Sequence, residues 1–515
     1  MASLQQYTTA NGGATIINSQ RQQDSAAASA RLAHTRIDHA EIVHDKLHDK
    51  QMRTNLTSAM HTLQHNRSNL ITHHYMDWQG LRTQAQSVKN NALMNLGERL
   101  TTFEQNASKN GIKVHWASTP EEACAVIYEI IKANGIEHVL KGKSMASEEI
   151  GLNNYLRQRG VIAEETDLGE LILQLNHETP VHIVVPAIHR NRYEVGRIFA
   201  ANLHVADEHD PEKLNAIARE HLRHEFAGLK LGISGVNFAL AQEGGIWLIE
   251  NEGNGRMCTT APDIHVAICG IEKVVGSLDD AATLMHLLTP SATGQFIPAY
   301  QNIITGPRKD DELDGPKEVH VVLFDHNRSH MLQDEDFYQA LRCIRCGCCM
   351  NFCPVYDKIG GHSYQTTYPG PIGEVISPSL FGLDEVGDIL SFCSQCKRCS
   401  EVCPERIPLA DLIRTLRAFK CKQIADQHRT ALLQGYHENK EDKAKSLAIK
   451  MFTKAATNGT LWHFALGKAY TMNFFMKRFG YMMPLASQWT KFKSLPEIRD
   501  NFFAQVAKLK DVEIK

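Results

Sequence analysis

No stretch of this 515-residue sequence has the uninterrupted apolar length of a membrane span. The nearest, Gly459 to Ala486, is broken by His463, Lys468, Lys477 and Arg478. It reads as a helical subdomain or as a segment lying on a membrane surface, so any membrane association is expected to be peripheral. The N-terminus, MASLQQYTTANGG, lacks a basic segment followed by an apolar run, which argues against a secretory signal. No G-x-G-x-x-G follows an expected strand, so no site for NAD or FAD is evident. With a net charge of −3 there is no excess of basic residues to hold a nucleic acid. The cysteines do not read as a disulfide framework, and this points to a reducing, cytoplasmic setting.

What is present is concentrated in those cysteines. Of thirteen, eight fall in two copies of C-x2-C-x2-C-x3-C-P: Cys343, Cys346, Cys349 and Cys353 before Pro354, then Cys393, Cys396, Cys399 and Cys403 before Pro404. Three thiolates spaced by two residues wrap one face of a cubane, and the fourth reaches the neighbouring cubane. The expected cofactors are therefore two [4Fe–4S] clusters. Cys343, Cys346, Cys349 and Cys403 should ligate one, and Cys393, Cys396, Cys399 and Cys353 the other. Zinc sites rarely use this spacing twice. Cys348 breaks the symmetry, but only Cys349 keeps the spacing to both Cys346 and Cys353, so Cys348 is read as a bystander. Cys124, Cys258, Cys269 and Cys421 have no ligand spacing and read as ordinary buried thiols. Arg342, Arg345, Lys397, Arg398 and Arg406 interleave with the ligands, either to offset cluster charge or to dock an acidic partner.

Five regions are expected: a disordered N-terminus over 1–36, a helical segment over 37–110, an α/β domain over 111–330, a helical two-cluster ferredoxin domain over 334–426, and a helical C-terminal region over 427–515. In the α/β part the alternation of short apolar strands with amphipathic helices implies a largely parallel sheet. Its strands are placed at Lys113–Ala117, His138–Lys141, Val161–Glu165, His182–Val185, Ile246–Glu250, His265–Cys269 and His320–Phe324. Thr119 or Pro120 opens a helix that stops at Asn134-Gly135, and Asp167 caps another, with Glu170 as the returning half of a capping box. The segment LADLIRTLRAFKCKQIAD reads as a helix covering the second cluster. His44 and His48 stand four apart, as helix-borne metal ligands would, but without a nearby acidic ligand in an apolar setting they read as a solvated face.

Lys141, Lys143 and Ser144 fall where a strand runs into a helix, a place suited to a small carboxylate. The alternative is that Ser144 caps the helix and the lysines are solvated. Glu243 follows in Ala-Gln-Glu-Gly-Gly at 241–245, before the strand IWLIE.

KGKSMASEEIGLN, EETDLGELILQL, VVPAIHRNR, and YPGPIGEVISP between the paired cysteine motifs together resemble the lactate utilization protein B family, over roughly residues 40 to 500. The resemblance implies a subunit of a three-part, flavin-independent system that oxidises L-lactate to pyruvate. Its partners would be a cysteine-rich CCG-domain protein and a second protein built on the same α/β module, the LUD domain. That module is similar in fold to the ribose-5-phosphate isomerase and CoA-transferase group. The leading expectation is an iron–sulfur electron-transfer subunit that is not catalytic alone. The alternative is an acyl- or CoA-transferring enzyme using Glu243 or Glu252 as nucleophile, with clusters that are structural or sense redox state.

Overall fold

The computed structural model describes residues 39–420 and, between 447 and 462, all but 448, 449 and 455. The expectations for 1–36, Cys421 and most of 427–515, including nearly all of the Gly459–Ala486 stretch, lie outside those residues. Among the described residues no helix is long and apolar enough to cross a membrane.

Four helices come first: His39–His48, Lys50–His74, Trp78–Met94 and Leu96–Lys109. Asp49 and Asp77 start the second and third by accepting the N–H groups of Met52 (2.9 Å) and Gly80 (2.7 Å). Met52, Leu56, Met60 and Leu70 recur at helical spacing and are buried. Three of them, Met52, Leu56 and Met60, enter a core shared with Tyr356, Tyr364, Ile372 and Phe419, so this helix seats the cysteine-bearing segment.

The α/β part holds a six-stranded, all-parallel sheet. Its strands are β1 (Lys113–Ala117), β2 (His138–Lys141), β3 (Ile162–Glu165), β4 (Leu231–Gly235), β7 (Ile264–Gly270) and β10 (Glu318–Phe324), in the order β1-β10-β7-β4-β2-β3. A second sheet, β8-β5-β6-β9, joins Phe238–Leu240 (β5), Gly245–Glu250 (β6), Val274–Val275 (β8) and Tyr300–Ile304 (β9). The strand expected at Ile246–Glu250 belongs to this second sheet and pairs antiparallel on both sides.

Three local expectations change. Residues 182–185 are not a strand: His182 Nδ1 accepts the N–H groups of Val184 (3.0 Å) and Val185 (3.2 Å), which takes the donors a neighbouring strand would use. Beside the centre of the parallel sheet stands β4, absent from the sequence reading because LGISG carries two glycines. One is required, since a Cβ on Gly232 would sit 1.9 Å from the carbonyl oxygen of Cys258. The capping box is half made. Asp167 accepts the N–H of Glu170 at 3.1 Å, but both carboxyl oxygens of Glu170 are buried with no hydrogen-bond partner.

The Pro120–Ala133 helix starts on Thr119, whose Oγ1 accepts the N–H of Glu122 at 3.2 Å. In the cysteine-bearing segment the longer helices are Gly370–Phe381 and Leu409–Lys420, the latter burying Leu409, Leu412, Ile413, Leu416 and Phe419 along one face.

Candidate iron–sulfur centre

The two cysteine motifs repeat one backbone path. Each leaves a short 3₁₀ helix, Phe337–Arg342 or Gly387–Phe392, with its first cysteine extended, and each ends in a short α-helix, Cys348–Asn351 or Arg398–Val402. Between these, two left-handed residues reverse the chain: Arg345 (φ 60°) and Gly347 (φ 73°) in the first, Gln395 (φ 59°) and Lys397 (φ 62°) in the second. Non-glycine residues in that region cost about 1 kcal/mol or more each. The turns aim backbone N–H groups at sulfur: Arg345 donates to Cys343 Sγ and Gln395 to Cys393 Sγ, both at 3.4 Å. Tyr356 and Ile407 donate to Cys353 and Cys403, also at 3.4 Å. Glycine suits position 347, where the backbone is left-handed and a Cβ would come within 3.0 Å of His182 Cε1, a tight approach.

Cys343, Cys346, Cys349 and Cys403 line one small cavity whose walls include Ile344, Ile372, Ile407 and Leu409. Cys353, Cys393, Cys396 and Cys399 form a second group within electrostatic reach of one another, and Cys349 also feels Cys399, so the groups adjoin. In each group the fourth cysteine comes from the other motif. The first group is the deeper: Cys346, Cys349 and Cys403 are buried while Cys396 is exposed. The sulfurs discriminate between candidate groups. Around one zinc ion with Zn–S of about 2.3 Å, four sulfurs lie ~3.8 Å apart. Among the described residues no three cysteine sulfurs lie within 4.8 Å of one another. A cage wider than a single ion fits, as a four-iron cubane is, with N–H donors to its sulfur ligands.

Cys348 lies near Cys346, but its Sγ is turned onto the carbonyl of Val402 (3.6 Å), among Arg67, Arg82 and Arg398. Cys348→Ser should therefore keep the iron content at about eight per chain, measured colorimetrically. A loss of about four irons would make Cys348 a ligand. Cys124, Cys258 and Cys269 are buried in the α/β part.

The interleaved basic residues divide. Lys397 and Arg398 are exposed, pairing with Asp411 (3.2 Å) and Glu401 (3.0 Å). Arg342 is buried and donates to the carbonyl of Arg406 (3.2 Å), and Arg406 reaches the carbonyl of Gln79 (2.9 Å). Arg345 turns inward into a buried charge chain that sequence reasoning missed, since its members are far apart in sequence. Arg345 lies 3.3 Å from Glu272 Oε1, Arg328 Nε lies 2.5 Å from Glu272 Oε2, and the Arg328 fork grips both Glu149 oxygens at 2.8 Å. Tyr368 donates to Glu149 (2.6 Å), His326 lies 2.7 Å from it, and the Lys89 ammonium donates to the Glu272 carbonyl (2.5 Å). Burial alone would raise the Glu149 carboxyl, but Arg328 and His326 hold it well below the usual carboxylate range. Glu272 is held low against burial in the same way by Arg328 and Arg345. This chain ties the C-terminal edge of the parallel sheet to the turn between Cys343 and Cys346.

The structure turns the strand-to-helix lysines onto groups of the chain itself. Lys141 is fully buried, 2.7 Å from Glu165 and 2.9 Å from Glu148, and donates to Ser147 Oγ. Lys143 donates to the carbonyl of Val184 and lies 3.9 Å from Asp167. Ser144 caps the five-residue helix Met145–Glu149 by accepting the N–H of Ser147 at 3.2 Å. Glu243 lies elsewhere, accepting the N–H of Leu278 (3.0 Å), and Glu252 accepts that of Leu168 (3.1 Å). The His44 and His48 ring centroids lie 4.2 Å apart with the planes tilted by 41°, and His48 Nδ1 is placed 2.7 Å from the carbonyl of His44.

Beside Lys141 a cleft of about 560 Å³ is lined by Glu148, Asn153, Glu165 and Glu170. Burial, then Glu165, pushes the Glu170 carboxyl well above the usual range. A raised acid favours the folded state fully below the unfolded pKa of about 4.3 and loses that contribution as pH rises. Glu170→Gln should therefore stabilise the chain by about 1–3 kcal/mol at pH 8 and by less at pH 5.5, in urea titrations. Equal gains at both pH values would show that the carboxyl is not held protonated.

Three known families match the sequence: LUD domain over residues 100–324, 4Fe-4S dicluster domain over 339–407, and Lactate utilisation protein B, C-terminal, over 418–512. The dicluster match assigns two [4Fe–4S] clusters to the cysteine-bearing segment. Among curated relatives, an "Uncharacterized electron transport protein YkgF" of Escherichia coli (strain K12) is 37% identical over 462 residues, covering 88% of this chain and 93% of that protein. A Lactate utilization protein B of Exiguobacterium is 37% identical over 454 residues, with the same two coverages. One of Bacillus cytotoxicus is 38% identical over 420 residues, covering 82% and 85%. Among solved structures, a duf162 family protein of Deinococcus radiodurans overlaps 44% of this chain and 98% of its own, with 12% identity and a TM-score of 0.26.

Proposed function

The chain belongs to the lactate utilization protein B family, and on that premise we propose that it is the iron–sulfur electron-transfer subunit of an L-lactate-oxidizing complex. The observation that carries this reading is the crossing of the two cysteine groups, each completed by the other motif. We assign Cys343, Cys346, Cys349 and Cys403 to one cluster and Cys353, Cys393, Cys396 and Cys399 to the other. A [4Fe–4S] cluster supplies a one-electron carrier, so an adjoining pair matches the two electrons that lactate yields, with two protons, on becoming pyruvate.

The chain's own residues hold, shield and orient. Backbone N–H groups of Arg345, Tyr356, Gln395 and Ile407 stabilise sulfur charge, and apolar walls at Ile344, Ile372 and Leu409 keep water from the deeper group. The exposed Cys396 marks the side from which electrons enter or leave. Removing two electrons from a 2-hydroxy acid needs a base and an acceptor at one carbon, and a cubane with four thiolate ligands has no open position for substrate. The catalytic centre then lies on a partner, which we take to be a CCG-domain protein, with a second LUD-domain protein completing the complex. The α/β module takes the fold group of ribose-5-phosphate isomerase and the CoA transferases, and we assign it ligand or subunit binding.

The test is the cluster spectrum before and after anaerobic addition of L-lactate. Bleaching near 400 nm is expected in the complex and not in this chain alone. Turnover of lactate by this chain alone with an artificial acceptor would move the catalysis into its α/β module.

A further inference from the structure

At the outer edge of the parallel sheet, remote in sequence from every motif cysteine, four side chains converge that the electron-transfer reading does not use. His138 opens β2, and Glu164 stands on the edge strand β3, diagonal to it in the register that pairs His138 with Ile162 and Leu140 with Glu164. The helix Pro211–Ala227 supplies His221 and Glu225, four residues apart and so on one face. His138 Nε2 lies 3.0 Å from Glu164 Oε2, and His138 Nδ1 lies 3.5 Å from Glu225 Oε2. His221 Nε2 lies 2.5 Å from the other oxygen of Glu164.

We propose that His138, Glu164 and Glu225 form a site for a divalent transition metal of the zinc class, with His221 positioning Glu164. The donor atoms of the three ligands all lie within 4.8 Å of one another, and among the described residues this is the one such group. Zinc bound by nitrogen and oxygen at about 2.0–2.2 Å sets neighbouring donors ~3.3 Å apart. The two close approaches to His138 use its two different ring nitrogens, so on binding one nitrogen would face both carboxylates, with the three donor atoms drawing in from within 4.8 Å of one another. One imidazole and two carboxylates are a donor set that zinc takes. With neutral histidines the site carries two negative charges, which a divalent cation balances. His221 on the second oxygen of Glu164 repeats the arrangement in which an outer partner fixes a ligating carboxylate. The side chains of His138, Glu164 and Glu225 remain 37%, 16% and 31% exposed, so an ion can enter and water can complete its shell. The ligands come from two strands and a helix distant in sequence, so the metal would staple the sheet's open edge to the helix beside it.

The competing arrangement is a bare ion-pair network in which a protonated His138 bridges the two carboxylates. Competition of the purified, cluster-loaded chain with a chromophoric chelator for added zinc separates the two. The wild-type chain is expected to bind one equivalent that Glu225→Gln and His138→Gln each lose by tenfold or more. His221→Ala should weaken the same equivalent by about 10–100-fold, the usual cost of removing an outer partner. Iron content and circular dichroism should stay unchanged in all three, which distinguishes loss of the site from loss of the fold. Zinc binding that is absent from wild type, or the same in wild type and both glutamine variants, would leave only the ion-pair network and overturn the proposal.

Discussion

The double variant Cys349→Ser/Cys403→Ser should keep about four irons per chain, whereas Cys349→Ser/Cys353→Ser should lose nearly all of about eight. The difference follows from where the fourth sulfurs lie. Cys403 belongs to the second motif in sequence, yet it lines a cavity with Cys343, Cys346 and Cys349. Cys353, from the first motif, stands with Cys393, Cys396 and Cys399. Removing Cys349 and Cys403 then damages one cluster twice, and removing Cys349 and Cys353 damages both. Ligation within each motif would invert the outcome, because Cys349 and Cys353 would then share a cluster. Iron and sulfide content, with spin quantitation after dithionite reduction, decides between them.

The sequence states the cysteine groups so plainly because cubane ligation is a matter of short spacings, and the turns between ligands are local. The alternation of β1, β2, β7 and β10 with helices is legible for the same reason: each strand is a short apolar run bounded by turn residues. Where the reading departs from the structure, something distant or subtle intervenes. β4 has too few large side chains to announce itself, because Gly232 must let the carbonyl of Cys258 approach. Residues 182–185 are apolar enough for a strand, but the His182 ring captures the amides a strand would share. Glu170 stands at the N3 position of a capping box, yet its carboxyl is buried unpaired next to Glu165 instead of returning to the helix start. The Arg345–Glu272–Arg328–Glu149 chain draws on four separated segments, and no local pattern could have joined them.

That chain yields the other large effect. Arg328 is 2% exposed and bonded to two carboxylates that are 4% and 1% exposed. Arg328→Met removes the cation from both, and breaking a buried pair from one side costs about 3–5 kcal/mol. Cluster absorbance should accordingly be lost at lower urea than in wild type. Adding Glu149→Gln to Arg328→Met takes out one charge of each sign and leaves Glu272 paired with Arg345, so most of the loss should be recovered. The pH dependence has a fixed sign. Both carboxylates are held below their unfolded values, so the stability they contribute is present above about pH 4.3 and is lost as the pH falls below it. Wild type should therefore lose its advantage over the Arg328→Met/Glu149→Gln variant in acid. Glu272→Gln alone separates packing from electrostatics, because it leaves the Arg345 charge uncompensated beside Cys343. The midpoint potential of the deeper cluster should then rise, since added positive charge favours the reduced form. An unchanged potential, with Arg328→Met costing less than about 1 kcal/mol, would mean that the network joins the α/β module to the cysteine-bearing segment without setting the energetics of either.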